Sequence, residues 1–143
     1  MIKSISINSK ILAIILYANH DEEGIHFLTP ENFTQQLGYM KRPKGYIIKP
    51  HKHIQFTREI VFTKEVLYIK RGKIRIDFYD DNQNYIESKI LNKGDVILLA
   101  FGGHGIEVVE ETEIIEVKQG PYAGTLDKSF FDPIDHSQII IKD

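Results

Sequence analysis

From about residue 44 onward, apolar and polar side chains alternate with a period of two. The clearest stretch is Lys73-Ile74-Arg75-Ile76-Asp77-Phe78-Tyr79, whose alternation puts Ile74, Ile76 and Phe78 on one buried face of a strand. Glu65 to Ile69 precedes it across Lys70-Arg71-Gly72, and the two segments read as a hairpin. Asp80 to Asn84 is a polar turn, after which Tyr85 to Leu91 resumes a strand. Asn92-Lys93-Gly94-Asp95 turns into Val96 to Ala100, a short run apolar on both faces. Ile106 to Val109 and Glu113 to Val117 read as two more strands separated by Glu110-Glu111-Thr112. Glu110, Glu111 and Glu113 are therefore expected on a solvated turn.

Helix signals are few. Thr29-Pro30-Glu31 offers an N-cap, a proline at the first helical position and an early acid, which predicts a short helix over residues 30–37. Lys128 to Phe131 predicts one further helical turn. The run Ile11 to Ala18 is far shorter than a membrane span needs. No small-residue cleavage pattern follows it, so it reads as a core strand rather than a signal segment. Many short strands with regular turns give an all-β fold, a barrel or sandwich with one or two short helices.

Composition narrows the chemistry. The 143 residues suit a single domain, and 42% hydrophobic with 27% charged residues is the balance of a globular protein. A formal charge of −2 gives no basic footprint, which argues against a nucleic-acid partner. No membrane partner is expected, and the cytoplasm follows by elimination. The absence of cysteine excludes disulfides, thiolate catalysis and Cys-ligated metals, so any metal site must use His, Asp and Glu.

Three of the six histidines fall where such a site could form. His51 and His53 are one residue apart, so on an extended segment both imidazoles leave the same face and can share an ion. Glu65 shares the parity of Leu67 and Ile69, the expected inward face. His104 sits among Gly102, Gly103 and Gly105, where missing side chains permit a close backbone approach.

These residues resemble the two motifs of the cupin superfamily. The first motif is a Gly, five residues, His-x-His, three or four residues, Glu, six residues and Gly. Gly45, His51, His53, Glu65 and Gly72 match it except that eleven residues separate His53 from Glu65. Either an excursion is inserted there or Glu59 is the acid; the spacing to Gly72 and the strand parity favour Glu65. The second motif is a Gly, five residues, Pro-x-Gly, two residues and His. It appears as Gly94, Ala100 in the proline position, Gly102 and His104, with the histidine one residue early.

The resemblance implies one jelly-roll β-barrel domain over residues 1–143. In it, residues 1–44 supply N-terminal strands and a short helix, 45–117 carry the motifs, and 118–143 form a C-terminal segment. It also implies a divalent ion (Zn, Mn, Fe or Ni) held by His51, His53, Glu65 and His104. Such a site would serve an isomerase or epimerase acting on a small polar molecule such as a sugar derivative. An Fe(II)-dependent dioxygenase and a non-catalytic ligand-binding cupin are the alternatives. Arg58, between the motif halves, would present a cation to an anionic substrate. Lys118 and Tyr122, flanking Gln119-Gly120-Pro121, and Glu59 are the candidate acid–base groups, although a surface lysine and a packing tyrosine explain the first two equally well. The segment Ile11 to Leu16 is expected as a spare strand that pairs with a second chain, and cupins commonly dimerise in this manner. A homodimer is therefore expected.

Overall fold

The computed structural model describes all residues 1–143 and is all-β, with 45% of residues in strands. The chain divides into two compact units. The larger comprises Met1–His20 and Phe62–Asp143, and the smaller is Asp21–Val61.

The larger unit is a curled antiparallel sheet. Its strands are β1 (Ile2–Ile7) and β2 (Lys10–Leu16) from the N-terminus. The smaller unit holds β3 (Gly24–Phe27) and β4 (Gly38–Lys41), and the larger then continues with β5 (Glu65–Tyr79), β6 (Tyr85–Asn92), β7 (Val96–Leu99) and β8 (Gly103–Lys118). The order across the large sheet is β1-β2-β7-β5-β6, and β8 pairs with β5. Two 3-10 turns, Gly124–Asp127 and His136–Gln138, are the only helical segments. No helix is long and apolar enough to cross a membrane.

The expected hairpin over residues 65–79 is instead one strand, β5. The expected strand pair over residues 106–117 is likewise one strand, β8. The two run antiparallel along their full length, with register shifts between Ile69 and Ile74. These shifts bend the pair where a turn was expected. Gly72 sits at the bend with φ +85°, and a Cβ there would lie 2.2 Å from the carbonyl oxygen of Glu111. The strands thus turn a corner without ending. Because they continue, Glu110, Glu111 and Glu113 lie on a strand rather than a turn and face cations on β5. Lys73 Nζ lies 2.6 Å from Glu110, Lys70 Nζ lies 2.6 Å from Glu113, and Arg71 pairs with both Glu111 and Glu113.

The curl follows from connectivity. Leu99, the last residue of β7, pairs with Glu65 at the start of β5, whereas Gly103 pairs with Tyr79 at its end. Only Ala100, Phe101 and Gly102 join them, a link that reaches at most about 15 Å. A flat strand of that length would span about 50 Å. The two ends of β5 must therefore fold toward each other. Gly102 makes the crossing possible: its φ is +71°, and a Cβ would lie 2.3 Å from the carbonyl oxygen of Tyr79.

Ile74, Ile76 and Phe78 are buried on one face as the alternation predicts, in a core with Leu12, Ile15, Ile69, Leu91 and Ile97. Toward the end of β5 the opposite face is buried as well, and there it is polar. Arg75 donates to both carboxylate oxygens of Asp77, at 2.8 and 3.0 Å, and Ser88 donates to Asp77 at 2.5 Å. Arg75 also reaches Glu107 at 2.7 Å. The C-terminal segment is tied to this side of the sheet: Ser88 N donates to Ile140 O at 2.8 Å, and Ile134 N donates to the Tyr79 hydroxyl at 3.0 Å.

Four further expectations are corrected. Residues 30–37 form turns rather than a helix. There the Gln36 amide donates to the carbonyls of Pro30 and Phe33, at 3.0 and 2.8 Å, which draws those acceptors out of a helical ladder. The Thr29 hydroxyl, expected as a cap, instead donates to Gln36 at 2.6 Å. Residues 128–131 are not helical; the 3-10 turn lies just before them. Finally, β2 is no spare strand, because β1 holds one edge and β7 the other.

In the smaller unit β3 and β4 pair from Gly24↔Lys41 to Phe27↔Gly38. After β4, the chain from residue 42 to 61 forms no strand or helix and is exposed throughout.

Candidate functional site

Glu65 opens β5 and His104 is the second residue of β8. In the sheet His104 pairs with Phe78, at the other end of β5. The curl of β5 and the short link after β7 carry its ring back to Glu65. His104 Nε2 then faces Glu65 Oε2 at 3.4 Å. The glycines flanking His104 act as their lack of side chains suggests: a Cβ on Gly103 would lie 2.6 Å from the Phe131 ring.

The pair opens into a cavity of about 370 Å³. Its polar lining includes Thr63, Asp127, Lys128 and Ser129, and its apolar walls are Tyr79, Phe130, Phe131 and Pro133. Lys128 Nζ stands 4.0 Å from Glu65 Oε1. Thr63 donates to Asp127 at 2.5 Å, and Lys118 Nζ lies 3.9 Å from the other oxygen of Asp127. The His104 ring holds the Glu65 carboxyl below the ordinary carboxylate range, outweighing the upward push of burial, with Lys128 and Lys118 adding to its effect. Beside this site the buried Lys64 has its pKa lowered by desolvation.

The remaining sequence-derived candidates fall in three places. His51 and His53 lie in the smaller unit, on exposed chain without strand structure, so the expected strand under the His-x-His pair does not form. Pro43 and Pro50 offer no N–H to a ladder on either side of Gly45 to Lys49. The two rings nevertheless meet edge to face, with centroids 5.5 Å apart, and His51 Nδ1 lies 2.9 Å from the Lys49 carbonyl oxygen. Arg58 and Glu59 are on the same exposed segment, with the Arg58 guanidinium 3.6 Å above the Phe56 ring. Lys118, at the end of β8, has its ammonium 5.8 Å from the ring of Tyr122, which is 84% exposed. Neither Lys118 nor Tyr122 lines the cavity.

Asp127, Lys128 and the two phenylalanines are among the cavity residues that sequence reasoning missed. Their only signal was the mixture of charge and aromatics in Asp127-Lys128-Ser129-Phe130-Phe131, which read as a helical turn. No group of three or more His, Asp or Glu side chains stands together closely enough to hold a metal ion. Two ligand atoms each about 2.1 Å from a tetrahedral ion lie about 3.4 Å apart, so the Glu65–His104 spacing suits two of its donors. Comparison with known proteins finds no matching family model, no matching curated protein and no matching solved structure.

Proposed function

We propose that the chain is a metal-dependent enzyme of cupin jelly-roll type. In this reading it isomerises or epimerises a small polar molecule, such as a sugar derivative bearing a carbonyl group. The observation that carries it is the Glu65–His104 pair at 3.4 Å at the wall of a cavity of about 370 Å³. A space of that size admits a small metabolite, with apolar walls to hold it and few polar groups to orient it.

Glu65 and His104 are the proposed donors to a divalent ion (Zn, Mn, Fe or Ni). When bound, the ion supplies a Lewis acid that polarises a substrate carbonyl. The chain's own groups do the rest. Lys128 places a cation beside the cavity and favours a substrate with an anionic or strongly polar group. Asp127, held by Thr63 and Lys118, is the carboxylate positioned to take a proton from carbon next to the carbonyl. Tyr79 and Phe131 wall one side of the substrate against water. Lys118 is then a positioning residue for Asp127.

The test is proton exchange. Keto sugars and keto acids incubated with the protein in deuterated water should gain deuterium next to the carbonyl, read by NMR. Asp127→Asn should abolish that exchange while leaving the β-sheet signal in circular dichroism intact. Equal exchange with the wild type and the variant would reject the assignment.

A further inference from the structure

Both oxygens of the Glu65 carboxylate face a side-chain nitrogen. Oε2 lies 3.4 Å from His104 Nε2, and Oε1 lies 4.0 Å from Lys128 Nζ. The two partners are held in different ways. His104 is built into the sheet as the second residue of β8, paired with Phe78 of β5. Lys128 follows the 3-10 turn in extended backbone, with φ −135° and ψ 140°, and its side chain is 51% exposed.

The chain around Lys128 is pinned. Asp127, before it, accepts from Thr63 at 2.5 Å. After it, the Phe131 ring packs where a Cβ on Gly103 would lie 2.6 Å away, and Ile134 N donates to the Tyr79 hydroxyl at 3.0 Å. The Lys128 ammonium, by contrast, ends a flexible four-carbon stem. At 4.0 Å it stands beyond hydrogen-bond distance of Glu65 and is drawn to it by charge alone. The backbone keeps Lys128 within reach of Glu65, and the side chain can turn.

A divalent ion on Glu65 and His104 brings a double positive charge to the carboxylate that Lys128 already faces, and like charges a few ångströms apart repel. We propose that Lys128 competes with the ion for Glu65, and that its displaced ammonium turns into the cavity to take a carboxylate or phosphate group of the substrate. This inference rests on the metal-dependent reading above and adds to it an order of binding, the ion before an anionic substrate. While Lys128 faces Glu65, an anion entering the cavity meets the carboxylates of Glu65 and Asp127 in its wall. Displacement reverses that charge. Ion and anion then strengthen each other's binding by the same factor, as linkage requires.

Calorimetric titration of the full chain with Mn tests the competition. Lys128→Met should bind Mn about three- to tenfold more tightly than the wild type. Lys128→Arg, which keeps the charge, and Lys93→Met, in an exposed turn outside the cavity, should bind it as the wild type does. Trace acetylation read by mass spectrometry should label Lys128 faster with Mn bound than without, and Lys93 at one rate. Mn should tighten the binding of glucose 6-phosphate to the wild type but not to Lys128→Met, and glucose, which lacks the charge, should show no such gain. Equal Mn affinity in the wild type and Lys128→Met, unchanged labelling of Lys128, or a gain for glucose 6-phosphate that survives Lys128→Met would overturn the inference and leave the metal-dependent reading standing. A wild type that binds no Mn would overturn both.

Discussion

His104 Nε2 stands 3.4 Å from Glu65 Oε2, although His104 is paired in the sheet with Phe78, at the far end of the strand that Glu65 begins. A contact between two strand ends requires that the strand be bent, so the site and the curl of β5 are one feature. Glu59, the competing acid, lies on exposed chain in the smaller unit. Ligand binding to the folded state raises the melting temperature through mass action. Glu65→Gln should therefore remove most of the shift that added Zn or Mn produces, while Glu59→Gln should retain it. Thermal melts with and without metal read the difference.

Acid should destabilise the protein through two carboxylates. His104 holds Glu65 below its ordinary value. For Asp77, burial pushes upward, but the bonds from Arg75 and Ser88 outweigh it and the net shift is also downward. A lowered folded-state value means that the unfolded chain binds the proton first. The stabilisation is thus fully present above the ordinary carboxylate range and is lost as pH falls through the folded values. Chemical denaturation from neutral into acidic pH should show falling stability, with a shallower fall in Glu65→Gln.

Asp77 is the centre of the buried polar face. Its removal leaves the Arg75 guanidinium in the interior with Glu107 as its remaining acidic partner. Breaking a buried pair from one side costs about 3–5 kcal/mol. Asp77→Ala should lose stability at the lower end of that range, because Glu107 still holds Arg75. Urea titration measures it.

The crossing at Gly102 should tolerate no side chain. Gly102→Ala puts a Cβ against the Tyr79 carbonyl at positive φ. We expect a loss of about 1–3 kcal/mol. Gly124→Ala is the comparison: its φ is also positive, but a Cβ there meets nothing within 4 Å. It should lose less.

The fold class was legible because period two marks a strand however the chain later bends. Ile74, Ile76 and Phe78 were assigned to the core from that alternation and are buried there. The bends were not legible. Lys70-Arg71-Gly72 and Glu110-Glu111-Thr112 have turn composition, yet they are opposite sides of one bulged corner where Arg71 pairs with Glu111. Polar residues at a turn and polar residues laddered across two strands look alike in sequence. Gln36 shows the same limit on the helix side, since a side chain that satisfies carbonyls six residues back leaves no periodic trace. Of the candidate site, Glu65 and His104 were found by spacing, and they meet. Asp127 and Lys128 were missed because nothing in the local pattern ties residues after β8 to the opening of β5.

The proposed function rests on Glu65 and His104 as donors to a divalent ion. Elemental analysis of the purified chain after loading with a divalent ion and removing the excess tests it most directly. The wild type should retain the ion in proportion to protein. His104→Ala and Glu65→Gln should each lose it while remaining folded β proteins. Retention of the same metal content by these variants, or no metal in the wild type, would contradict the account.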